Sequence, residues 1–73
     1  MDYQNYISIN SEIRFGKPCI TGTRISVYDI LGWLASGMSN KDIINDFPQI
    51  KEEHISASLN YAADNERRVK YVV

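Results

Sequence analysis

The chain has 73 residues, 44% of them hydrophobic, and eight basic side chains against nine acidic ones leave a net charge of −1. A domain this small buries only about 60% of the surface its unfolded chain exposes, so the length fits one thin-cored unit. A pI near 5.7 excludes a strong whole-chain pull toward polyanions, so nucleic-acid binding would need a local patch or a dimer.

Residues Tyr6 to Asn10 alternate, with Ile7 and Ile9 opposite Ser8 and Asn10, which predicts a half-buried strand followed by a turn at Asn10-Ser11. Ile13-Arg14-Phe15 reads as a second extended piece, and Pro18 biases Lys17 the same way. Cys19-Ile20-Thr21 reads as another short strand, with Gly22 supplying a turn before Thr23-Arg24-Ile25. Strands this short are marginal unless something covers them.

Helical signals begin at Ser26, an N-cap with Asp29 three residues on, ahead of Val27, Ile30, Leu31 and Leu34 at helical spacing and Gly37 just past the end. They predict a helix over 27–36. Trp33 lies off the main stripe, so it either widens the buried face as a covered structural residue or marks a second contact surface. Ser39 and Asp42 repeat the capping pattern for a helix over 40–47 that carries Ile43, Ile44 and Phe47 inward and stops at Pro48. A third helix starts about Lys51, with Glu52 and Glu53 well placed against its dipole and Ile55, Leu59, Ala62 and Ala63 as its inner stripe. At the polar run Asp64-Asn65-Glu66-Arg67-Arg68 the helix is expected to fray or to run out into solvent, and Val69 to Val73 have strand propensity. One domain follows, with a β-rich arm (1–25), a helix-turn-helix core (26–66) and a tail (67–73).

Phe15-Gly16-Lys17-Pro18-Cys19-Ile20-Thr21-Gly22-Thr23-Arg24-Ile25-Ser26-Val27-Tyr28-Asp29-Ile30-Leu31, then Leu34-Ala35-Ser36-Gly37-Met38-Ser39 and Asp46-Phe47-Pro48, resembles the domain-of-unknown-function 433 family over roughly residues 7 to 66. These are small prokaryotic proteins regarded as antitoxin-like. The resemblance implies a homeodomain-like helix-turn-helix and, frequently, pairing with a PIN-like ribonuclease toxin. Thr21 departs from the pattern, standing where the family often carries a basic residue.

Catalysis has little to build on. One cysteine, Cys19, cannot form an internal disulfide, and one histidine gives no paired zinc spacing. His54 follows Glu53 directly, and adjacent helical residues do not face each other. Gly16-Lys17 lacks the rest of a phosphate loop. The expectation is a non-enzyme with no catalytic residue, metal or cofactor, in which His54 is a surface imidazole and Cys19 a small buried side chain. No apolar run nears the roughly 20 residues of a membrane span, and Met1-Asp2-Tyr3-Gln4-Asn5 lacks the basic start of a signal peptide, so a cytoplasmic protein is expected.

Binding residues remain. Arg24 reads as structural, satisfying carbonyls or pairing with Asp29, whereas for Lys17 a phosphate contact and a structural role stand side by side. If the unit binds DNA, the third helix enters the major groove, where Asn60 suits adenine and Ser56 a base or phosphate. Lys41, Lys51 and Arg14 would offset Glu52 and Glu53. Arg67, Arg68, Lys70 and Tyr71 form a basic and aromatic cluster that either captures a partner, such as the acidic pocket of a nuclease, or simply solubilises the chain end.

Mainly α is therefore the expected fold class: three helices with a helix-turn-helix centre, preceded by a short β-hairpin-like arm that helps form a homodimer. The expected function is an antitoxin of a type II pair that neutralises a PIN-like toxin and binds operator DNA as a dimer. A stand-alone DNA-binding regulator and a protein-interaction module that ignores DNA are the alternatives.

Overall fold

The computed structural model describes residues 3–72, with side chains described for residues 3–65. In chain order it holds β1 (Ile7–Ser8), a single 3-10 turn (Arg14–Gly16), β2 (Cys19–Ile20), α1 (Val27–Ala35), α2 (Asn40–Asp46) and α3 (Glu52–Val72). The fold is mainly α, as expected.

β1 and β2 run antiparallel with Ile7 opposite Ile20 and Ser8 opposite Cys19. The predicted strand over Tyr6 to Asn10 is therefore cut to two residues. β2 lies between two partners: the Thr21 N–H donates to the Tyr6 carbonyl at 2.9 Å, and the Ile20 N–H donates to the Ile25 carbonyl at 2.8 Å. Gly22, at φ 82°, closes the intervening turn in a conformation that disfavours side chains.

Ile13-Arg14-Phe15 is not a strand. Arg14 (φ 51°), Phe15 (φ 60°) and Gly16 (φ 80°) are three left-handed residues in a row. Only the glycine adopts that region freely; each of the other two costs about 1–2 kcal/mol, which neighbouring contacts must offset.

Both predicted capping boxes form. Ser26 Oγ accepts from the Asp29 N–H at 2.9 Å while Asp29 Oδ2 accepts from the Ser26 N–H at 3.0 Å. Ser39 and Asp42 repeat the exchange at 3.1 and 3.0 Å. At the far end of α1 the Met38 N–H reaches the Trp33 carbonyl and the Gly37 N–H the Leu34 carbonyl, both at 3.1 Å. That is a Schellman close, with Gly37 at φ 104° taking the left-handed position.

The core is built from five isoleucines, all fully buried: Ile20 from β2, Ile30 from α1, Ile43 from α2, Ile50 from the α2–α3 turn and Ile55 from α3. Each element sends one stiff, β-branched side chain to the same point, worth about 1.5–3 kcal/mol apiece on burial. Trp33 is half-buried and stacks on Phe47, ring centroids 4.1 Å apart and 9° from parallel, so it is a covered structural residue.

α3 turns a different face inward than its apolar spacing predicts. Ile55, Ala57 and Ser58 are fully buried, whereas Leu59 is 49% exposed and Ala63 is exposed. The reason is a second cover. Besides α1, the N-terminal stretch lies along α3, with Tyr3 edge-on to Tyr61 at 5.6 Å and Tyr6 edge-on to His54 at 5.8 Å. The Tyr3 hydroxyl also donates to Asp64 Oδ2 at 2.6 Å. Of the two outcomes expected at the polar run, fraying does not occur: helical structure continues past Asp64 to Val72, because a long helix adds a bond for every residue it orders.

Two glycines should respond to alanine with opposite signs. Gly32 sits mid-helix, exposed, with no atom within 4 Å of the point an alanine methyl would occupy, so Gly32→Ala should add about 0.5–1 kcal/mol. Gly16 has room as well, but its φ of 80° makes Gly16→Ala costly by about 1 kcal/mol or more. Urea unfolding of both variants checks this; a loss of stability in Gly32→Ala would mean that α1 is distorted there.

Candidate nucleic-acid and partner interface

The expected helix-turn-helix forms as α2, a tight turn and α3. Pro48 and Gln49 make the turn, closed by the Ile50 N–H on the Phe47 carbonyl at 2.8 Å. Ile43, Ile50 and Ile55 fix it from inside. Outward, α3 shows Glu52, Glu53, Ser56, Leu59, Asn60 and Ala63.

The sequence-predicted residues distribute unevenly. Lys41 in the first turn of α2 and Lys51 just before α3 are both exposed and flank the helix-turn-helix corner. Ser56 and Asn60 are exposed one turn apart on α3, and Asn60 Nδ2 donates to the Ser56 carbonyl at 2.8 Å. Asn40 Nδ2 donates to Glu52 Oε2 at 3.0 Å, so the front of α3 is tied to the front of α2. Lys17 is exposed but stands between the 3-10 turn and β2, away from the helix-turn-helix in the chain. Arg67, Arg68, Lys70 and Tyr71 fall on the last turns of α3, and their side chains lie outside the described ones.

The start of α3 lacks a Ser or Asp cap, and His54 fills in. Its Nδ1 accepts the Lys51 N–H at 2.9 Å, as the acidic residue does in the two capping boxes. An acceptor Nδ1 places the proton of the neutral ring on Nε2. The expected surface imidazole is thus a half-buried capping group. Cys19 is buried, as expected.

Arg24 does not pair with Asp29; Arg14 does. Arg14 Nη1 lies 3.1 Å from Asp29 Oδ2 and 2.9 Å from the Arg24 carbonyl, while the Arg24 side chain is exposed. The left-handed turn reverses the chain and aims Arg14 at the start of α1. Burial alone would raise the Asp29 carboxyl; the Ser26 N–H, then the Arg14 hydrogen bond and charge, then the Ser26 side chain outweigh it and hold it below its ordinary 3.8.

Two features escaped the sequence reading. Phe15 is 99% exposed at the tip of its turn. A cleft of about 270 Å³ opens between the N-terminal stretch and α3, lined by Tyr3, Gln4, Ile7, Ile9, Tyr61 and Asn65. Neither has a local sequence signal beyond Gly16 itself, because both depend on how the N-terminal stretch folds back. Among the described residues no group of His, Cys, Asp and Glu is arranged to hold a metal ion, and no helix is long and apolar enough to cross a membrane.

The elements define a small mainly α domain whose exposed corner is a helix-turn-helix. Residues 7–62 match the model of DUF433, a protein family of unknown function, and the chain belongs to that family. A crystal structure of a DUF433 member protein from Anabaena variabilis is similar at 26% identity and a TM-score of 0.81, covering 93% of this chain and 67% of that one. No curated protein matches.

Because Asp29 has a lowered folded-state value, the unfolded chain binds more protons just below 3.8, and stability should fall as pH drops through that window. Arg14→Gln should cost about 0.5–1 kcal/mol near neutral pH and shrink the acid-side loss, since part of the lowering is removed. Urea titrations of both proteins at about pH 7 and about pH 3 read this out; identical acid losses would detach Asp29 from Arg14.

Proposed function

We propose that this protein is the antitoxin of a type II pair, binding operator DNA as a dimer through α2 and α3 and neutralising a cognate PIN-like ribonuclease. The observation that carries the DNA half is the exposed Ser56 and Asn60 pair on α3, behind a corner whose lysines, Lys41 and Lys51, are both open to a phosphate backbone. The toxin half rests on the family resemblance and on Arg67, Arg68, Lys70 and Tyr71, whose charge suits a nuclease pocket of metal-holding carboxylates.

The charge balance at the corner decides what kind of DNA contact this is. Lys41 and Lys51 face Asp42, Glu52 and Glu53, so one protomer gains little from counterion release. Discrimination falls to hydrogen bonds from Asn60 and Ser56, and affinity to two copies on a two-fold site. The same three acidic residues support a second reading, a protein-interaction module that touches no DNA.

Gel shifts with the chain's own promoter fragment separate the two. Asn60→Ala should cost about 1–3 kcal/mol and relax sequence preference, whereas Lys51→Glu should weaken all sequences alike and flatten the salt dependence by about one unit per protomer. Unchanged affinity in both variants would remove α3 from the interface. Co-expression with the protein encoded alongside should give a stable complex that is lost when residues 67–73 are removed; an intact complex would clear the chain end of that role.

A further inference from the structure

We propose that the Phe15 turn is a knob that seats in the Tyr3, Ile7, Ile9 and Tyr61 cleft of a second copy of this chain, reciprocally about a two-fold axis. The inference rests on the dimer reading above and names its surface. The knob is rigid. Its left-handed backbone is held from behind by Arg14, which is fixed to Asp29 at 3.1 Å and to the Arg24 carbonyl at 2.9 Å, and ahead by buried Pro18, whose carbonyl takes the Val27 N–H at 2.9 Å. At 99% exposed, the ring gains nothing from its own chain.

The cleft has the matching character. Ile9 on its wall is 65% exposed, and its volume of about 270 Å³ exceeds the roughly 150 Å³ that already holds a benzene ring. One reverse turn, closed by the Ile13 N–H on the Asn10 carbonyl at 2.9 Å, is all the chain between Ile9 and the knob, and the proposed two-fold interface requires both to lie on one patch.

Charge selects the occupant. Around Phe15 stand Glu12 before it in the chain, Lys17 after it, and Arg24, whose backbone Arg14 draws alongside, all exposed. A patch carrying both signs is complementary to its own copy rotated by half a turn, Glu12 meeting Lys17 or Arg24. Two of the three charges are positive and one is negative; a second copy supplies a partner for each sign, whereas a polyanion leaves Glu12 without one.

Sedimentation equilibrium of the full chain from low micromolar to near-millimolar concentration tests this with Phe15→Asp and Ile9→Asp. Both side chains are largely exposed, so both variants should keep the wild-type circular dichroism. The wild type should be a dimer, and each variant should weaken it by about thirtyfold or more. Mixing the two variants should partly restore dimer, because the intact knob of one meets the intact cleft of the other. A dimer that neither variant weakens would overturn this surface and leave the dimer itself standing. A monomeric wild type would overturn both. Were that monomer to lose a co-encoded protein or an oligonucleotide on Phe15→Asp, the knob would belong to that partner instead.

Discussion

One carboxylate oxygen, Asp29 Oδ2, joins three stretches of chain. It accepts the Ser26 N–H at 3.0 Å, completing the cap of α1, and Arg14 Nη1 at 3.1 Å, anchoring the left-handed turn. The same guanidinium nitrogen reaches the Arg24 carbonyl at 2.9 Å and so holds the loop after β2. Order of contact matters electrostatically. A cation near a helix N-terminus is unfavourable and an anion favourable, so Arg14 can approach α1 only because Asp29 stands between. Without that carboxylate, α1 loses half of its capping box, and of the side-chain bonds that hold the Arg14 and Phe15 turn only the one to the Arg24 carbonyl is left.

At α3 the demands of folding and of binding pull apart. Glu52 and Glu53 favour the helix by their charge at its positive end, and His54 supplies the reciprocal bond that a Ser-led cap would otherwise need. Those same carboxylates lead the helix into any groove. The bond from Asn40 holds Glu52 toward α2, which directs one negative charge onto the scaffold, and the neutral hydrogen-bonding groups begin only at Ser56. A contact built on Ser56 and Asn60 is therefore short-range and geometric, and its registration depends on the isoleucine core holding α2 and α3 rigid.

Local signals were legible and long-range ones were not. Ser26 with Asp29, Ser39 with Asp42, and Gly37 each act within one helical turn, so their spacing alone places the starts of α1 and α2 and the end of α1. Choosing between Arg14 and Arg24 as the partner of Asp29 required the direction of the chain at Phe15, which three successive positive φ angles reverse and which no residue type except Gly16 announces. Leu59 fits an inner stripe on a helix packed from one side. Once Tyr3 and Tyr6 cover α3 from a second direction, the buried arc widens toward Ala57, Ser58 and Tyr61, and Leu59 is left outside. The strand propensity of Val69 to Val72 was overridden by a helix already nucleated far upstream, and Val73 lies outside the described residues. At the candidate interface, exposure of Lys41, Ser56 and Asn60 followed from helical phase and that of Lys51 from its place in the turn; the Phe15 knob and its neighbouring cleft did not.

The left-handed turn also bears on how so thin a core can support an interface. Five buried isoleucines leave little surplus to hold a flexible loop in one shape, and ordering a loop at the moment of binding would cost about 0.5–1.5 kcal/mol for each side chain immobilised. Here the ordering is complete beforehand. Arg14 and Phe15 sit in a costly backbone region already in the isolated chain, with the strain balanced through Asp29 rather than by burial of the ring. A rigid aromatic presented this way adds its apolar area to a contact with almost no further loss of freedom, which is why strain concentrated in one short turn is more consistent with recognition than with packing.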